Sequence, residues 1–215
     1  MYDPTPKRLP AAALALLVLL ALVISAAAAP AALTSFIARK VVLDNSGKVL
    51  TEEKIAMAGE KIRAESLRGV MVMIFRHDLG LLWVLAPEKK IYVAIPLDQR
   101  TWDRETRGTT EGERVRVLGR EKVNGFSCTR KEVTGTRTAM GRAAGRTIWS
   151  SDRLPMILRS RTGQGVTTEL RDIRGTEPAK DMFELPRGYR KVGDNMGLFL
   201  MYMRGAATGP PTPIH

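Results

Sequence analysis

Between Phe36 and Leu97, short apolar runs alternate with turn chemistry so closely that few folds are open to the chain. "FIARKVVL" ends at "DNSG", "EKIAMA" at "GEK", and "IRAESL" at Arg68-Gly69. "VMVMIFR" then ends at "HDLG", "LLWVLA" at "PEKK", and "IYVAIPL" follows. Runs of about 5–8 residues rich in β-branched and aromatic side chains, joined by short loops of Gly, Asn, Asp and Pro, predict an antiparallel meander.

Three of these runs carry a second constraint. In "VMVMIF", Val70, Val72 and Ile74 lie on one face and Met71, Met73 and Phe75 on the other, and both sets are apolar. "LLWVLA" and "IYVAI" behave the same way. An antiparallel sheet with one wet face shows apolar/polar alternation, so these strands are covered on both faces or line a cavity. Two arrangements satisfy this. One is a closed barrel or sandwich core backed by a helix; the other is a curved sheet whose concave face holds an apolar ligand.

The rest of the chain repeats the strand pattern. "RVRVLGREKV", "FSCTRKEVTG", "RTIWSS", "PMILRSR" and "VTTELRDI" read as a second set of strands. Residues 98–113 lack an apolar period and read as an exposed loop with at most one helical turn. Residues 135–146 read as a mobile hairpin tip, and "PAKDMFELP" as a short helical turn. "DNMGLFLMYMRG" opens with N-cap candidates Asp194 and Asn195 and closes at Gly205, with no polar stripe between them. Such a segment plugs a space, pairs as a strand or touches membrane. Without an internal repeat or a linker, residues 29–204 read as one domain, followed by a disordered tail over 205–215.

The N-terminus sets the compartment. Lys7 and Arg8 precede the apolar run Ala11–Ile24, and small residues follow, with a cleavage position after Ala28. This is the layout of a secretory signal peptide over residues 1–28, and it predicts a periplasmic protein. An uncleaved anchor is the alternative, although the run is shorter than the ~20 apolar residues that span a bilayer. Removing Lys7, Arg8 and Asp3 takes the formal charge from +12 to +11. A chain this basic favours anionic partners, and export directs that preference to membrane surfaces and away from nucleic acid.

Catalytic chemistry is thin. His77 falls in the turn "RHDLG", and no His, Cys or carboxylate set has metal-ligand spacing. No G-x-S-x-G elbow, S-x-x-K pair or Gly-rich phosphate loop occurs. Glu65 alternates with Arg63, Asp78 suits a turn, and Asp152 suits a loop before Pro155. The lone Cys128 sits mid-strand without a His or helix N-terminus to activate it, and reads as a core residue.

Five pieces occur in one order: "KIRAES", "FRHDLGLLWVLAPEKKIYVAIPL", "LGREKVNGFSCTRKEV", "TIWSSDRLPMILRS" and "LRDIRGTEPAKDMFELPRGYRKV". Over about residues 34–193 the chain resembles an exported bacterial family catalogued as domain of unknown function number 4412. More remotely, it resembles the outer-membrane lipoprotein-carrier and lipoprotein-sorting proteins (LolA/LolB-like). The resemblance implies a mainly β fold: a strongly curved antiparallel half-barrel with few short helices, no catalytic residue and no cofactor or metal. On the implied concave face, the candidate ligand-binding residues are Met71, Met73, Phe75, Trp83, Tyr92, Trp149, Phe199 and Met201. Arg153, Arg159, Arg161, Arg171 and Arg174 are candidates for a rim that meets anionic headgroups. Only residues 29–33 separate the cleavage position from Thr34, which leaves no room for the carriers' leading helix and makes 194–204 a candidate replacement lid. The function expected is non-enzymatic binding of a lipid, acyl chain or lipoprotein. A structural or regulatory module that binds another envelope protein is the alternative.

Overall fold

A computed structural model describes residues 31–66, 68–135, 137–138, 141–142 and 145–205. The signal-peptide expectation for 1–28, nearly all of the tail and the middle of the 135–146 segment lie outside the described residues.

The six runs of the meander become β1 (Ser35–Leu43), β2 (Val49–Ala58), β3 (Lys61–Ser66), β4 (Val72–Arg76), β5 (Leu81–Ala86) and β6 (Ile91–Pro96). The second set gives β7 (Arg114–Val123), β8 (Phe126–Thr134), β11 (Arg146–Ser150), β12 (Arg159–Thr162) and β13 (Thr167–Gly175). β9 (Arg137–Thr138) and β10 (Gly141–Arg142) form a separate two-stranded ribbon. β14 (Arg190–Gly193) completes a 12-stranded sheet in the order β14-β6-β5-β4-β3-β2-β1-β13-β12-β11-β8-β7. The sheet is open, with β14 and β7 at its edges. Its pairings are antiparallel except β14 beside β6, a parallel contact the turn spacing did not predict. The β7–β8 hairpin turns on Asn124-Gly125, both at positive φ (48° and 84°), as a two-residue turn matched to strand twist requires.

The sheet curls around one face. Asn124 at the β7–β8 tip donates its side-chain N–H to the Leu170 carbonyl of β13, 2.6 Å away and three strands along. The inner face buries a large cluster drawn from across the sheet, including Phe36, Ile55, Met57, Ile62, Phe75, Cys128, Trp149, Met156, Leu158 and Leu170. Its lid is α1 (Gln99–Thr106), where the sequence suggested an exposed loop. Asp98 caps α1 by accepting from the Thr101 backbone N–H at 2.7 Å, and Trp102 and Thr106, one helical turn apart, face inward.

The outer face of β2, β4 and β5 is covered as well. The 3-10 turn Lys180–Phe183, in the segment expected to form a helical turn, drives Phe183 against Ala56, Val72, Ile74 and Leu85, flanked by Trp83, Tyr92, Leu185 and Tyr189. Buried Arg76 fastens this cover. It donates to Asp78 through Nε and Nη2, both at 2.8 Å, to Glu184 at 2.8 Å and to the Phe183 carbonyl at 3.2 Å. Covering on both faces explains why β4 and β5 show no polar alternation.

Candidate functional site

The C-terminal segment forms α2 (Met196–Met203), which starts where Asn195 Oδ1 accepts from the Leu198 N–H at 3.0 Å. One side of α2 docks Phe199 and Tyr202 onto Val84, Ala86, Ile91, Val93 and Val192 on the inner face of β5, β6 and β14. Gly193 permits this approach, because a Cβ there would lie 2.5 Å from Leu198. Lys89 Nζ donates to the Tyr202 and Met203 carbonyls at 2.8 and 2.9 Å, placing a cation at the negative end of the helix.

The other side of α2 remains unsatisfied. Between it, the start of β2 and the β3–β4 turn lies an open cavity of about 760 Å³. Val49, Leu50, Val70, Met71, Phe199, Leu200 and Met203 make its apolar lining, and Arg68 stands among them. Val49, Leu50, Val70 and Leu200 are 43, 53, 45 and 46% exposed. Apolar residues gathered in a concave patch of this size mark a binding site more often than a bare surface.

The structure distributes the sequence-derived candidates over three environments. Met71 and Phe199 line the cavity. Met73, Phe75 and Trp149 pack into the inner core, and Trp149 Nε1 is buried without a hydrogen-bond partner. Trp83 and Tyr92 lie on the opposite face, against the Phe183 cover. The register dictates that split: Met73 pairs with Val84 and Val84 with Val93, so their chain neighbours Trp83 and Tyr92 point the other way. Met201 projects from α2 into solvent. Val49, Leu50, Val70, Leu200 and Met203 were not singled out from sequence. Val49 and Val70 follow directly on turns, at Lys48 and Gly69, and Leu50 is next after Val49, where apolar residues are hard to place in a core.

The five arginines do not form one rim. Arg159 and Arg171 converge on the buried Glu169; Arg159 Nε donates to it at 2.9 Å, and Arg171 Nε reaches its other oxygen. Arg153 lies over the Phe126 ring, 5.2 Å from its centre. Arg161 and Arg174 are exposed, and Arg174 borders a groove on the outer face.

The remaining reactive groups, Asp152 apart, are held in structural contacts. Cys128 is a free, fully buried thiol whose burial pushes its pKa up, and its Sγ lies 3.5 Å from the Phe126 carbonyl. His77 stacks on Trp102 with ring centres 4.7 Å apart, its nitrogens 3.2 Å from Glu60 and 3.0 Å from Gln99. Glu65 accepts from Arg63 at 3.0 Å. The Arg76 hydrogen bonds hold the Asp78 carboxyl below its usual range. Asp152 lines a mixed polar cavity of about 600 Å³ beside Trp102 and Lys131. Among the described residues, no group of three or more His, Cys, Asp or Glu is placed to hold a metal ion, and no helix is long and apolar enough to cross a membrane.

An open, curled, mainly antiparallel sheet with an apolar cavity beside α2 defines the fold class. Within it, the chain belongs to the family described as Domain of unknown function (DUF4412), which matches residues 43–154. No curated protein matches it significantly. Among solved structures, the chain is similar to PNGF-II in its P21 crystal form, at 10% identity and a TM-score of 0.56, covering 80% of this chain and 34% of that one. The chain therefore spans about a third of PNGF-II, and at this identity the likeness concerns the fold alone. The Pseudomonas aeruginosa MucA/MucB complex matches at 17% identity and a TM-score of 0.48, over 71% of this chain and 56% of that one. The Mycobacterium tuberculosis lipoprotein LppX matches at 13% identity and a TM-score of 0.40, over 69% and 89%.

Proposed function

We propose that this chain is an exported, non-enzymatic binding protein that holds a lipid, or the acyl chain of a lipid or lipoprotein, in the cavity between α2 and the start of β2. The observation that carries this reading is the lining of the 760 Å³ cavity: seven apolar side chains, three of them from α2's methionine-rich segment, with Arg68 beside them. Methionine and leucine adapt to flexible chains, and a cation at the lining suits an anionic head. The exposed lining supports a mouth that a membrane surface can reach.

Purification of the protein, organic extraction and mass spectrometry test the proposal, with co-sedimentation on phosphatidylglycerol–phosphatidylethanolamine vesicles at low salt as the second arm. Recovery of a stoichiometric acyl lipid, or vesicle binding that Leu200→Glu abolishes, supports it. An empty protein that also ignores the vesicles overturns it.

A second reading is favoured by the filled inner face, where Trp102, Trp149, Met156 and Leu158 occupy the space a carrier would leave open. On that reading the sheet is a scaffold and the exposed patch at α2 binds a segment of an envelope protein. Cross-linking that recovers one stoichiometric protein and no lipid selects it.

A further inference from the structure

The outer face of β13, β1, β2 and β3 carries a second concavity of about 380 Å³, separate from the cavity under α2. The sheet register shows how it is built. One cross-strand row runs Arg174, Ile37, Ala56, Arg63, so two apolar residues are bracketed by two cations. The adjacent row runs Arg39, Lys54, Glu65. Met182 closes the side, its carbonyl accepting from Arg63 Nη1 at 3.2 Å. Ile37 and Met182 remain 36 and 37% exposed.

The charges in the groove do not balance. Its carboxylates are already engaged: Asp172 by Arg39 at 2.6 Å and Glu65 by Arg63 at 3.0 Å. Glu52, just outside, also pairs with Arg39, at 3.1 Å. Lys54 therefore faces Arg39 across the ladder, a like-charge opposition that destabilises a sheet, while its acidic register partner is committed to Arg63. Among the described residues, neither Lys54 nor Arg174 has an ion pair. The groove thus combines an apolar floor with two uncompensated cations, and its volume is that of a small-molecule site.

We propose that this groove binds an anionic single-chain amphiphile, its carboxylate or phosphate head meeting Lys54 and Arg174 and its tail lying on Ile37, Ala56 and Met182. The site goes beyond the cavity reading: it uses the opposite face of the sheet, and its ligand is selected by charge as well as by chain. The test is calorimetric titration of the Leu200→Glu variant, in which the mouth of the α2 cavity is blocked, with dodecyl phosphate below its micellar concentration. Saturable binding is expected, weakened roughly tenfold or more by adding Lys54→Glu and Arg174→Glu, because each exposed charge-assisted contact is lost and replaced by repulsion. Dodecyl maltoside, with the same tail and no charge, and inorganic phosphate, with the charge and no tail, are expected to bind far more weakly. Equal binding of either control, of an acidic peptide, or of dodecyl phosphate after charge reversal overturns the proposal. Both reversed positions are exposed strand residues, so circular dichroism suffices to confirm that the variant folds.

Discussion

At the residue scale, the chain's most informative side chains are those whose chemistry looks reactive in sequence and is neutralised by context. Cys128 sits in a run flanked by Lys122, Arg130 and Lys131, yet the thiol is buried, because position in a strand, not charge in the neighbouring sequence, decides where a side chain points. The "RHD" triplet resolves similarly: Arg76 turns toward the Phe183 cover, Asp78 follows it as a bidentate acceptor, and His77 stacks on Trp102 at the other face. Arg76 is the buried cation that ties β4 to the Phe183 cover, so its partners bear on stability. Replacing Asp78 with Asn removes a charged acceptor and is expected to cost about 1.5–3 kcal/mol at neutral pH. The pH dependence has a definite sign. The folded-state pKa of Asp78 is lowered from an ordinary value of 3.8, chiefly by the Arg76 hydrogen bonds. Its contribution is therefore fully present above that ordinary value and is lost as pH falls through the folded one. The stability gap between the wild type and Asp78→Asn, measured by urea unfolding, is expected to narrow as pH is taken from 7 to about 3. A gap that stays constant would show that the carboxylate's charge is not what holds Arg76.

At the element scale, what was legible depended on how local the signal was. The strands of the meander and their turns were readable because pattern and turn chemistry lie within a few residues of one another; Asn124-Gly125 is the clearest case. The short turn at Lys180–Phe183 and the Asn195 cap of α2 were readable for the same reason. The helix α1 was hidden among charges, although Asp98, Trp102 and Thr106 stand at capping and one-turn spacings that could have revealed it. The parallel docking of β14 on β6 was not legible, since four residues with a single buried valine carry no record of a distant partner. The same limit applied to α2, whose uniformly apolar sequence announced burial but not which side would be buried. Its anchor is Phe199, and truncation to Ala is expected to cost about 3 kcal/mol or more, unless the helix releases first. Hydrogen exchange distinguishes these outcomes from a failed prediction: amides of residues 196–203 should lose protection in Phe199→Ala, while those of β1–β3 keep theirs. Unchanged protection across α2 would mean that Lys89 and the neighbouring contacts, not the ring, hold the helix down.

At the scale of the whole molecule, the two-sided apolar strands left open whether the second face was packed or empty, and the structure gives a divided answer. The outer face is sealed by the Phe183 segment and the inner face by α1 and its own side chains, yet the sheet leaves one apolar cavity under α2 and one charged groove on the other side. Trp83 and Tyr92 fell on the sealed face because their placement depends on inter-strand register, which the four-residue turns suggest but only hydrogen bonding fixes. Two concavities on opposite faces, without shared residues, should respond independently to their ligands. A neutral single-chain lipid such as monolauroylglycerol lacks the charge that the outer groove selects, so it reports on the α2 cavity alone. Added to delipidated protein at about 100 times its Kd, it should stabilise the fold by about 2.7 kcal/mol through mass action. For a chain of this size that corresponds to a rise in Tm of roughly 5–10 °C. The rise should vanish in a Val70→Glu, Leu200→Glu double variant, where two carboxylates stand in the apolar lining, and persist in Lys54→Glu, Arg174→Glu. Persistence in the first variant would place the lipid elsewhere, and loss in the second would show that the two faces are coupled through β2 and β3, the strands that contribute residues to both.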